Sequence, residues 1–370
     1  MTVDPDVVII GAGLTGATAA WSLTRAGLHV VVYEAKTFVG GHVRNEWIND
    51  VPYEPNGAHI FHTSDTEVWN LASSFVEFVP YVHEVRTRIG DRVLSWPIQL
   101  DELHDLPEWS TIERELRSLP DTPDPSNFEA WCTSIMGNRL YELYVADYTR
   151  KQWGREPSQL SAEFAPKRVE LRTDGYRGLF RDPHQGWPRR GYTALVEEML
   201  RDVPVVLGTP VSSNEVVQVA PRGASVVLTC PLDDWFDGAE GELEWRGVRL
   251  EPRYLPDVTL AQEATVVNEP SAEVSYTRTI ESKWVFPELH DSPGTVVCYE
   301  YPGGTAKHYP VYDSAGRNHA VQAAYEQRVQ KEERPSFIAG RLARYLYINM
   351  DEAMRQGLDV AQQVLTSRRT

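Results

Sequence analysis

The N-terminal part of the chain shows two hydrophobic patterns in succession. Residues 7–10 form an unbroken β-branched run, which is typical of a strand buried on both faces. Residues 17–26 have the pattern of a helix, and Gly27 then supplies the left-handed conformation at which helices often end. Residues 30–33 form a second apolar run. The pattern predicts a strand, a helix and a second strand, the unit from which parallel sheets are built.

Glycines occupy the turn between the first strand and the helix. Gly11, Gly13 and Gly16 have GxGxxG spacing. The first permits a tight turn, the second lets a pyrophosphate approach the backbone, and the third lets the helix pack on its strand. Glu34 ends the second strand, where a carboxylate binds ribose hydroxyls in dinucleotide-binding proteins. We therefore predict a dinucleotide site; the competing interpretation is an ordinary βαβ unit whose glycines serve only the turn.

A second glycine turn follows Glu34 closely. Gly40 and Gly41 precede His42, and a turn at this point suits a dinucleotide that lies extended beneath the chain. The turn favours FAD over a nicotinamide dinucleotide as the cofactor.

Beyond residue 75 the pattern changes to separate helical and strand-rich stretches. Residues 81–100 predict two short strands around Gly90-Asp91, a hairpin signal, and residues 103–153 are helical with a proline-rich interruption. A last helix is predicted for residues 350–365, where Asn349 and Glu352 have the spacing of an N-cap and its reciprocal third residue. The other predicted elements are a helix at 191–201 and strands at 203–207, 226–230, 245–250, 263–267, 275–280 and 295–299.

These elements predict an α/β fold, in which a Rossmann-type FAD-binding domain carries an inserted helical domain and an antiparallel β-sheet domain. The length of 370 residues favours two or three structural units. The predicted boundaries are 1–75, 188–245 and 325–370 for a discontinuous FAD-binding domain, 98–165 for a helical substrate domain, and 76–97, 166–187 and 246–324 for the antiparallel sheet domain.

The composition restricts which kinds of molecule the protein can bind. A formal net charge of -17 opposes binding to nucleic acid and to anionic membrane surfaces. Cys132, Cys230 and Cys298 are far apart and form no CxxC motif, which indicates a reducing, cytoplasmic location without a disulfide framework or a zinc site. The sequence has no signal-peptide pattern and no apolar run long enough for a membrane span. In so acidic a protein, a phosphorylated substrate requires local arginine clusters.

Two histidines three residues apart lie in the small-residue segment GAHIFHT. His59 and His62 are candidates to line a cofactor cleft. A metal site is less favoured, because no carboxylate or third histidine is nearby in the sequence. The competing interpretation is that both histidines are ordinary surface or core residues, as most histidine pairs at such spacing are.

Aromatic and basic residues mark a second candidate region. Tyr141, Tyr144 and Tyr148 recur at helical spacing, either as a core stripe or, beside Arg150 and Lys151, as a face for a base and phosphates. Guanidinium groups that bind a diphosphate could come from a basic segment and three isolated arginines. These residues are Arg168, Arg172, Arg177 and Arg181, and then Arg246, Arg278 and Arg341.

At this point the chain resembles a known family over nearly its whole length. The matching strings, in order, are GAGLTGA, GAHIFHT, YTRKQWGREP, the arginine in KRVELR, QGWPRRGYTALVEEML, LEWRG, SYTRTIESK, the Tyr309-Pro310 pair and GRLARYLYINMDEA. The chain resembles the UDP-galactopyranose mutases, flavoenzymes that interconvert the pyranose and furanose forms of nucleotide-bound galactose. YTRKQWG and GAHIFHT are rare strings, and the order of the motifs also agrees.

The resemblance implies a role for each site residue. FAD would be bound by Gly11, Gly13, Gly16, Glu34, Gly41, Arg246, Gly340, Arg341 and Asn349, with the last helix pointing its N-terminus at the flavin. The catalytic set would be His59 and His62 along the flavin face, with Arg172 and Arg278 clamping the diphosphate, Arg172 from a mobile loop. The substrate-binding set would be Tyr144, Tyr148, Trp153, Asn268, Tyr309, Tyr347 and His83.

The resemblance also implies a mechanism without net redox change. The reduced flavin would attack the anomeric carbon and form a covalent sugar–flavin adduct, and the sugar ring would open, reclose through its other hydroxyl and return to the nucleotide. This mechanism requires no Ser–His–acid set, and none is evident in the sequence. The protein would supply position and charge.

Departures from the family pattern concern the nucleotide base. Tyr144 and Val145 stand where the family has a phenylalanine pair that stacks on uracil, His83 replaces an asparagine near the substrate, and Asn349 replaces an aspartate. Some relatives act on GDP-hexoses, including a GDP-galactose mutase in nucleoside-antibiotic biosynthesis. We therefore expect a GDP- or UDP-linked galactose as substrate, with guanine ahead of uracil.

The expected partners are the nucleotide-sugar and an external reductant such as NAD(P)H or a reductase, with no nucleic acid, membrane or metal. Family members are often dimers, so a homodimer is an expectation from the resemblance alone. Two alternatives stay open: a flavin-dependent oxidase or desaturase on the same scaffold, and a non-catalytic protein that binds flavin and nucleotide-sugar.

Overall fold

A computed structural model describes residues 4–167 and 169–369, so Arg168 of the basic segment lies outside the described residues. The strands are β1 (Val7–Ile10), β2 (Val30–Tyr33), β3 (Glu46–Ile48), β4 (Val51–Tyr53), β5 (Phe61–Thr63), β6 (Phe78–Pro80), β7 (Val85–Ile89), β8 (Arg92–Trp96), β9 (Ile98–Gln99), β10 (Leu171–Arg172), β11 (His184–Pro188), β12 (Val205–Val206), β13 (Ser225–Leu228), β14 (Trp245–Arg246), β15 (Val248–Leu255), β16 (Val266–Asn268), β17 (Arg278–Ile280), β18 (Thr295–Pro302), β19 (Tyr309–Pro310) and β20 (Ser336–Ile338). The helices are α1 (Leu14–Arg25), α2 (Thr66–Phe75), α3 (Trp109–Leu116), α4 (Phe128–Tyr141), α5 (Asp147–Trp153), α6 (Gly191–Met199), α7 (Val216–Val219), α8 (Leu232–Trp235), α9 (Arg317–Gln330), α10 (Gly340–Ala343) and α11 (Met350–Ser367).

A parallel sheet with the order β12-β2-β1-β13-β20 contains the predicted strand–helix–strand unit. The strand β1 is buried on both faces, which explains its unbroken apolar run. Val7 and Ile9 contribute to one hydrophobic core, whereas Val8 and Ile10 contribute to the core on the opposite face. The sheet therefore holds the β1–α1 turn rigidly between two packed layers.

A second sheet of six strands has the order β15-β18-β17-β16-β7-β8. Its neighbours pair in antiparallel fashion, as predicted, except that β16 runs parallel to β7. The expectation of a purely antiparallel sheet is therefore wrong at this one pair. The strands β7 and β16 are far apart in sequence, so no hairpin dictates their relative direction.

Several predicted strands differ from the structure in extent. The predicted strand at 245–250 is split at Gly247 into β14 and β15. A Cβ at Gly247 would collide with the carbonyl oxygen of Gly304, so the chain passes too close to its neighbour for a side chain. The strands predicted to start at residues 263 and 275 begin later, at Val266 and Arg278.

The helical stretch 103–153 contains α3, α4 and α5 but also a π-helical turn, Glu142–Ala146. The terminal helix α11 begins with the predicted reciprocal pair, because the Asn349 N–H donates to Glu352 Oε2 at 2.8 Å. Sequence patterns did not predict α2, α9 or the three-stranded sheet β5-β11-β6.

The observed architecture is mixed α/β, with one parallel sheet and several smaller sheets around it. The division into three discontinuous domains stays a prediction. Across residues 4–167 and 169–369, no helix combines the length and apolar character that crossing a membrane requires.

Candidate active site

The β1–α1 turn has the geometry of a dinucleotide site. Gly11 has a φ of +111°, and a Cβ there would collide with Thr229 Oγ1. A Cβ at Gly16 would collide with the carbonyl oxygen of Gly11, so this glycine lets the helix approach the strand. In contrast, among the described residues no atom outside the adjoining backbone lies within 4 Å of the Cβ position of Gly13, the N-cap of α1, and no described side chain caps the helix. Open space at an uncapped helix N-terminus fits a pyrophosphate.

The second glycine turn lies against the first. The N–H of Gly40 donates to Ala12 O at 2.9 Å, and a Cβ at Gly41 would lie 3.3 Å from the Cα of Gly13. The carboxylate of Glu34 accepts from the N–H of Ala12 at 2.7 Å and of Lys36 at 2.9 Å. Glu34 therefore orders the glycine turn through hydrogen bonds to the backbone. This role is additional to its predicted contact with ribose.

The C-terminal segment completes this side of the site. Gly340 has a φ of +87°, and a Cβ there would lie 2.8 Å from Thr15 Oγ1 in the first turn of α1. Asn349 and Met350, at the N-terminus of α11, line a cavity of about 310 Å³. The helix dipole thus presents its positive end to this cavity.

The cavity collects most of the predicted substrate and catalytic residues from distant parts of the chain. Its walls come from the GAHIFHT segment, the second sheet, the π-helical turn, the helix α5, the strand β19, the helix α10 and the segment after α10. The predicted residues that line it are His59, His62, His83, Tyr144, Tyr148, Trp153, Asn268, Arg278, Tyr309, Arg341, Tyr347 and Asn349.

Arg278 presents a fixed guanidinium to the cavity. Its Nε and Nη2 donate to Glu300 Oε2 at 2.9 and 2.7 Å, and Glu300 is only 1% exposed on the adjacent strand β18. Burial alone would lower the pKa of Arg278, but Glu300 raises it well above its ordinary value. The group is therefore a permanent cation, held in position by the register of two sheet strands.

Phenol rings and a second arginine lie on the same wall. Tyr309 and Tyr347 stack with ring centroids 5.4 Å apart, and the guanidinium carbon of Arg341 lies 5.7 and 5.4 Å from the two rings. Burial raises the pKa of Tyr309 to about 12 and also raises the pKa of Tyr148. Both phenols remain protonated hydrogen-bond donors, as binding of phosphate oxygens requires.

The π-helical turn carries the predicted base-binding residues. Tyr144 and Val145 both line the cavity, although residues this close in sequence point in different directions on a regular helix. The hydroxyl of Tyr144 is buried and has no hydrogen-bond partner among the described residues, and the same holds for Oε1 of Gln152. Two unpartnered polar atoms in a ligand-sized cavity are typical of groups that a ligand satisfies.

Each of the two motif histidines is oriented by a carboxylate. His59 Nδ1 lies 2.9 Å from Glu54 Oε1, and His62 Nδ1 lies 2.7 Å from Asp182 Oδ2. The ring of His62 also stacks on Phe180 at 3.5 Å. A carboxylate at Nδ1 leaves Nε2 as the atom available to a ligand.

His83 and Asn268 line the same cavity, and Asn268 is the register partner of Arg278 on the neighbouring strand. Burial, followed by the charges of Arg278 and His62, lowers the pKa of His83 to about 3, so its ring is neutral at pH 7. Its Nδ1 is buried and has no partner among the residues that the structure describes. The Nδ2 of Asn268 lies 3.4 Å from Thr87 Oγ1.

The structure does not bring Arg172 to the cavity, contrary to the sequence expectation. Its side chain is buried and donates to Glu170 Oε2 at 2.7 Å and to the carbonyls of Tyr176, Gly178 and Leu179 at 3.2, 2.6 and 3.1 Å. The guanidinium thus organises the following loop, because its fork of donors matches that loop's carbonyls.

Arg246 also has partners other than those expected for a flavin contact. Its Nε donates to Gln152 O at 2.6 Å and its Nη2 to Lys151 O at 3.0 Å. These carbonyls belong to the last turn of α5, where a cation complements the negative end of the helix dipole. Arg246 is not among the residues that line the cavity.

Three functional partners were missed by the sequence analysis: Glu54, Asp182 and Glu300. Asp182 and Glu300 are remote in the chain from the residues that they orient, but Glu54 is only five residues before His59, so the expectation that no carboxylate is nearby in the sequence was wrong. The spacing of Glu300 from Arg278 carries no signal, since their contact depends on the β17–β18 register. In β18, Glu300 is buried between the partly exposed Tyr299 and Tyr301. This alternation is the signal that could have identified Glu300 as a buried acid.

Comparisons with known proteins agree with this architecture. The family model for UDP-galactopyranose mutase matches residues 143–347, more than half of the chain, and a model for an NAD(P)-binding Rossmann-like domain matches residues 9–75. The chain is 29% identical to dTDP-fucopyranose mutase of Escherichia coli, covering 96% of this chain and 97% of that protein. It is 30% identical to a probable UDP-galactopyranose mutase of Klebsiella pneumoniae, covering 98% of this chain and 95% of that protein. A solved structure of reduced UDP-galactopyranose mutase matches with a TM-score of 0.81 at 18% identity, covering 98% of this chain and 96% of that one.

The fold and the cleft thus define a Rossmann-type flavoprotein whose cofactor is FAD. The chain belongs to the UDP-galactopyranose mutase family and is an isomerase of that mutase type. These comparisons confirm the predicted fold class, family, enzyme class and cofactor.

Proposed function

We propose that the protein interconverts the pyranose and furanose forms of a nucleotide-linked galactose without net oxidation or reduction. Bound FAD, in its reduced state, would supply the nucleophile that bonds to the anomeric carbon. The observation that carries the proposal is the fixed Arg278–Glu300 pair facing the same cavity as Tyr309, Tyr347 and Arg341. Cations and phenol donors on one wall form a site for a diphosphate.

The cavity residues have distinct tasks in this reaction. Arg278 binds the departing nucleoside diphosphate and keeps it close for the return step. Tyr309 and Tyr347 donate hydrogen bonds to phosphate oxygens, and Arg341 adds positive charge behind them. His59 and His62 would lie along the flavin face with their Nε2 atoms available, and the N-terminus of α11 at Asn349 would stabilise negative charge on the cofactor. Tyr148, Trp153, Asn268 and His83 would enclose the nucleotide-sugar.

Arg172 joins this set only after a change of partners. Its guanidinium must leave the carboxylate of Glu170 and the carbonyls of Tyr176, Gly178 and Leu179 to reach a diphosphate. We propose that it does so when substrate is bound, because a diphosphate is a stronger acceptor than neutral carbonyls.

The base is proposed to be guanine, with uracil as the alternative. Guanine offers two hydrogen-bond donor groups on its Watson–Crick edge, whereas uracil offers one. The oxygens of Tyr144 and Gln152 are two buried acceptors without partners among the described residues. Both line the cavity, and an edge with two donor groups satisfies both. The related dTDP-fucopyranose mutase shows that the base varies among similar proteins.

The reaction is tested with enzyme reduced anaerobically by dithionite and incubated with GDP- or UDP-galactose. We expect a furanose product by chromatography, with no consumption of reductant in proportion to product. Oxygen consumption that matches product would support an oxidase instead. Binding of the nucleotide-sugar without its conversion to the furanose would indicate a non-catalytic binding protein.

The base is tested by measuring affinities for GDP, UDP and dTDP on the reduced protein. Tyr144→Phe should change the ratio of these affinities by about threefold to tenfold, the value of roughly one hydrogen bond. Tyr141→Phe is the matched control, because the Tyr141 hydroxyl is also buried without a partner among the described residues but does not line the cavity. Equal ratios in both variants and the wild type would contradict the assignment of the base pocket.

A further inference from the structure

Two histidines outside the predicted site stack against each other beside the glycine turns. His42 directly follows Gly40 and Gly41, and His308 directly precedes β19. Their ring centroids are 4.4 Å apart and the planes differ by 22°. Because Gly40 is bonded to Ala12 in the dinucleotide turn, the stack is adjacent to the space where a pyrophosphate fits.

His308 is built into the protein yet incompletely satisfied. It is 4% exposed, and its Nδ1 lies 3.3 Å from Ala306 O and 3.4 Å from the N–H of Val248. Its Nε2 is buried and has no hydrogen-bond partner among the described residues. A buried polar atom without a partner costs about 1–3 kcal/mol, so a ligand that supplies the missing hydrogen bond is favoured at this nitrogen.

The surroundings of the stack are positively charged. Burial first, and then the neighbouring Lys36, His59 and Arg341, lower the pKa of both rings, that of His308 to about 4. His59 is in turn bonded to Glu54, Lys36 is exposed just after β2, and Arg341 in α10 donates to the carbonyl of His308 at 3.5 Å. Both imidazoles are therefore neutral at pH 7, although the site attracts anions.

We propose that the His42–His308 pair binds a phosphate oxygen of FAD and takes up one proton from solvent when the cofactor binds. The pyrophosphate supplies negative charge that cancels the repulsion from Lys36 and Arg341 and stabilises an imidazolium. Only one proton is taken up, because two charged rings at this separation repel each other strongly. The shared proton makes the pair a charge-assisted donor to the phosphate.

This inference rests on FAD as the cofactor and not on the proposed sugar chemistry. A protein that binds flavin without any mutase activity would still show it. Conversely, a working mutase without linked protonation would refute this inference alone.

The experiment is calorimetric titration of flavin-free protein with FAD, at pH 6.5, in buffers that differ in ionisation enthalpy. We expect an uptake approaching one proton per FAD. We also expect the dissociation constant to rise by up to roughly tenfold per pH unit between pH 6 and 8. His308→Gln and His42→Asn should each abolish most of the uptake and flatten this pH dependence. His104→Gln, an exposed histidine elsewhere, should leave both unchanged.

Two outcomes would overturn the proposal. Wild-type protein that binds FAD without proton uptake excludes it directly. Uptake that persists in His42→Asn but disappears in His59→Asn would assign the proton to His59 and its partner Glu54. Should His308→Gln not fold, His42→Asn and the wild-type titration still decide, because neither depends on that variant.

Discussion

Two arginines expected to do the same work lie in very different settings. Arg278 is on β17, inside a six-stranded sheet, and its partner Glu300 is fixed by the strand register. Arg172 ends the two-residue strand β10, and its partners are the half-exposed carboxylate of Glu170 and carbonyls of the loop that follows it. The sheet arginine is therefore set before any ligand arrives, whereas the loop arginine would have to exchange one set of acceptors for another to bind a diphosphate.

The difference concerns the cost of moving each group. Releasing Arg278 would leave the carboxylate of Glu300 buried and unpaired, which costs several kcal/mol. Releasing Arg172 exposes carbonyls that water can satisfy once the loop opens. A rigid cation and a movable one on opposite sides of a diphosphate would combine preorganisation with access.

The largest expected effect comes from Arg278→Ala. We expect loss of turnover by at least about a hundredfold, because a buried charge pair to the substrate is removed, while the flavin absorption spectrum stays intact. Arg278→Lys keeps a positive charge beside Glu300 but lacks the two-pronged guanidinium. It therefore distinguishes loss of guanidinium hydrogen bonding from misfolding caused by an unpaired Glu300. Wild-type turnover in Arg278→Ala would remove this residue from the diphosphate site.

Arg172→Ala should have its main effect on the loop at residues 173–183. The variant loses hydrogen bonds to three loop carbonyls, each worth about 1.5–3 kcal/mol when the donor is charged. Limited proteolysis of substrate-free protein should then cleave this loop at least about tenfold faster than in the wild type. An unchanged cleavage rate would show that Arg172 does not hold the loop.

The stability of the loop at residues 173–183 should also depend on pH. At its far end, Asp182 accepts hydrogen bonds from His62 and Ser64. Burial tends to raise the pKa of Asp182, but hydrogen bonds from Ser64 and His62 outweigh it and lower the pKa below the ordinary value. A depressed carboxyl pKa adds stability above the unfolded pKa, about 3.9, and that stability is lost as pH falls through the folded value.

Hydrogen exchange of the amides of residues 173–183 measures this effect. After correction for intrinsic rates, exchange in the wild type should accelerate as pH falls below about 4. Asp182→Asn should exchange faster already at pH 6 and show no further step. A step that persists in the variant would assign the acid sensitivity to another carboxyl group.

The smallest effect is expected for Arg181→Ala. Arg181 lies in the same loop and pairs with Asp174, but its side chain is 50% exposed. Exposed ion pairs contribute little to stability. Proteolysis of the loop and turnover should both stay at wild-type values, so any clear change would mean that surface charge, and not Arg172, controls the loop.

Local patterns were sufficient for the dinucleotide turn and for most of the elements around it. Gly11, Gly13 and Gly16 lie within six residues of one another in a strand–helix–strand unit that is continuous in sequence, although the close neighbour of Gly11 in the fold is the distant Thr229. The motif histidines and tyrosines could be singled out, but the roles assigned to them came from the family resemblance and stay predictions.

Contacts across the chain could not be predicted, because sequence periodicity contains no information about which strands meet. Tertiary packing determines that β16 runs parallel to β7 and that a π-helical turn forms around Tyr144. It also determines which carboxylates lie beside His59, His62 and Arg278. The same is true of Arg172 and Arg246, most of whose acceptors are backbone carbonyls that any sequence supplies.

The amino-acid sequence by itself determined the parallel sheet unit, the glycine turns and the cofactor class, since these depend on short-range backbone conformation and hydrophobic alternation. Only the tertiary structure decided which cations face the cavity and which stabilise loops or helix ends. The physical reason is that a guanidinium binds whichever acceptors the folded chain places within hydrogen-bond distance, and that distance is a property of the fold.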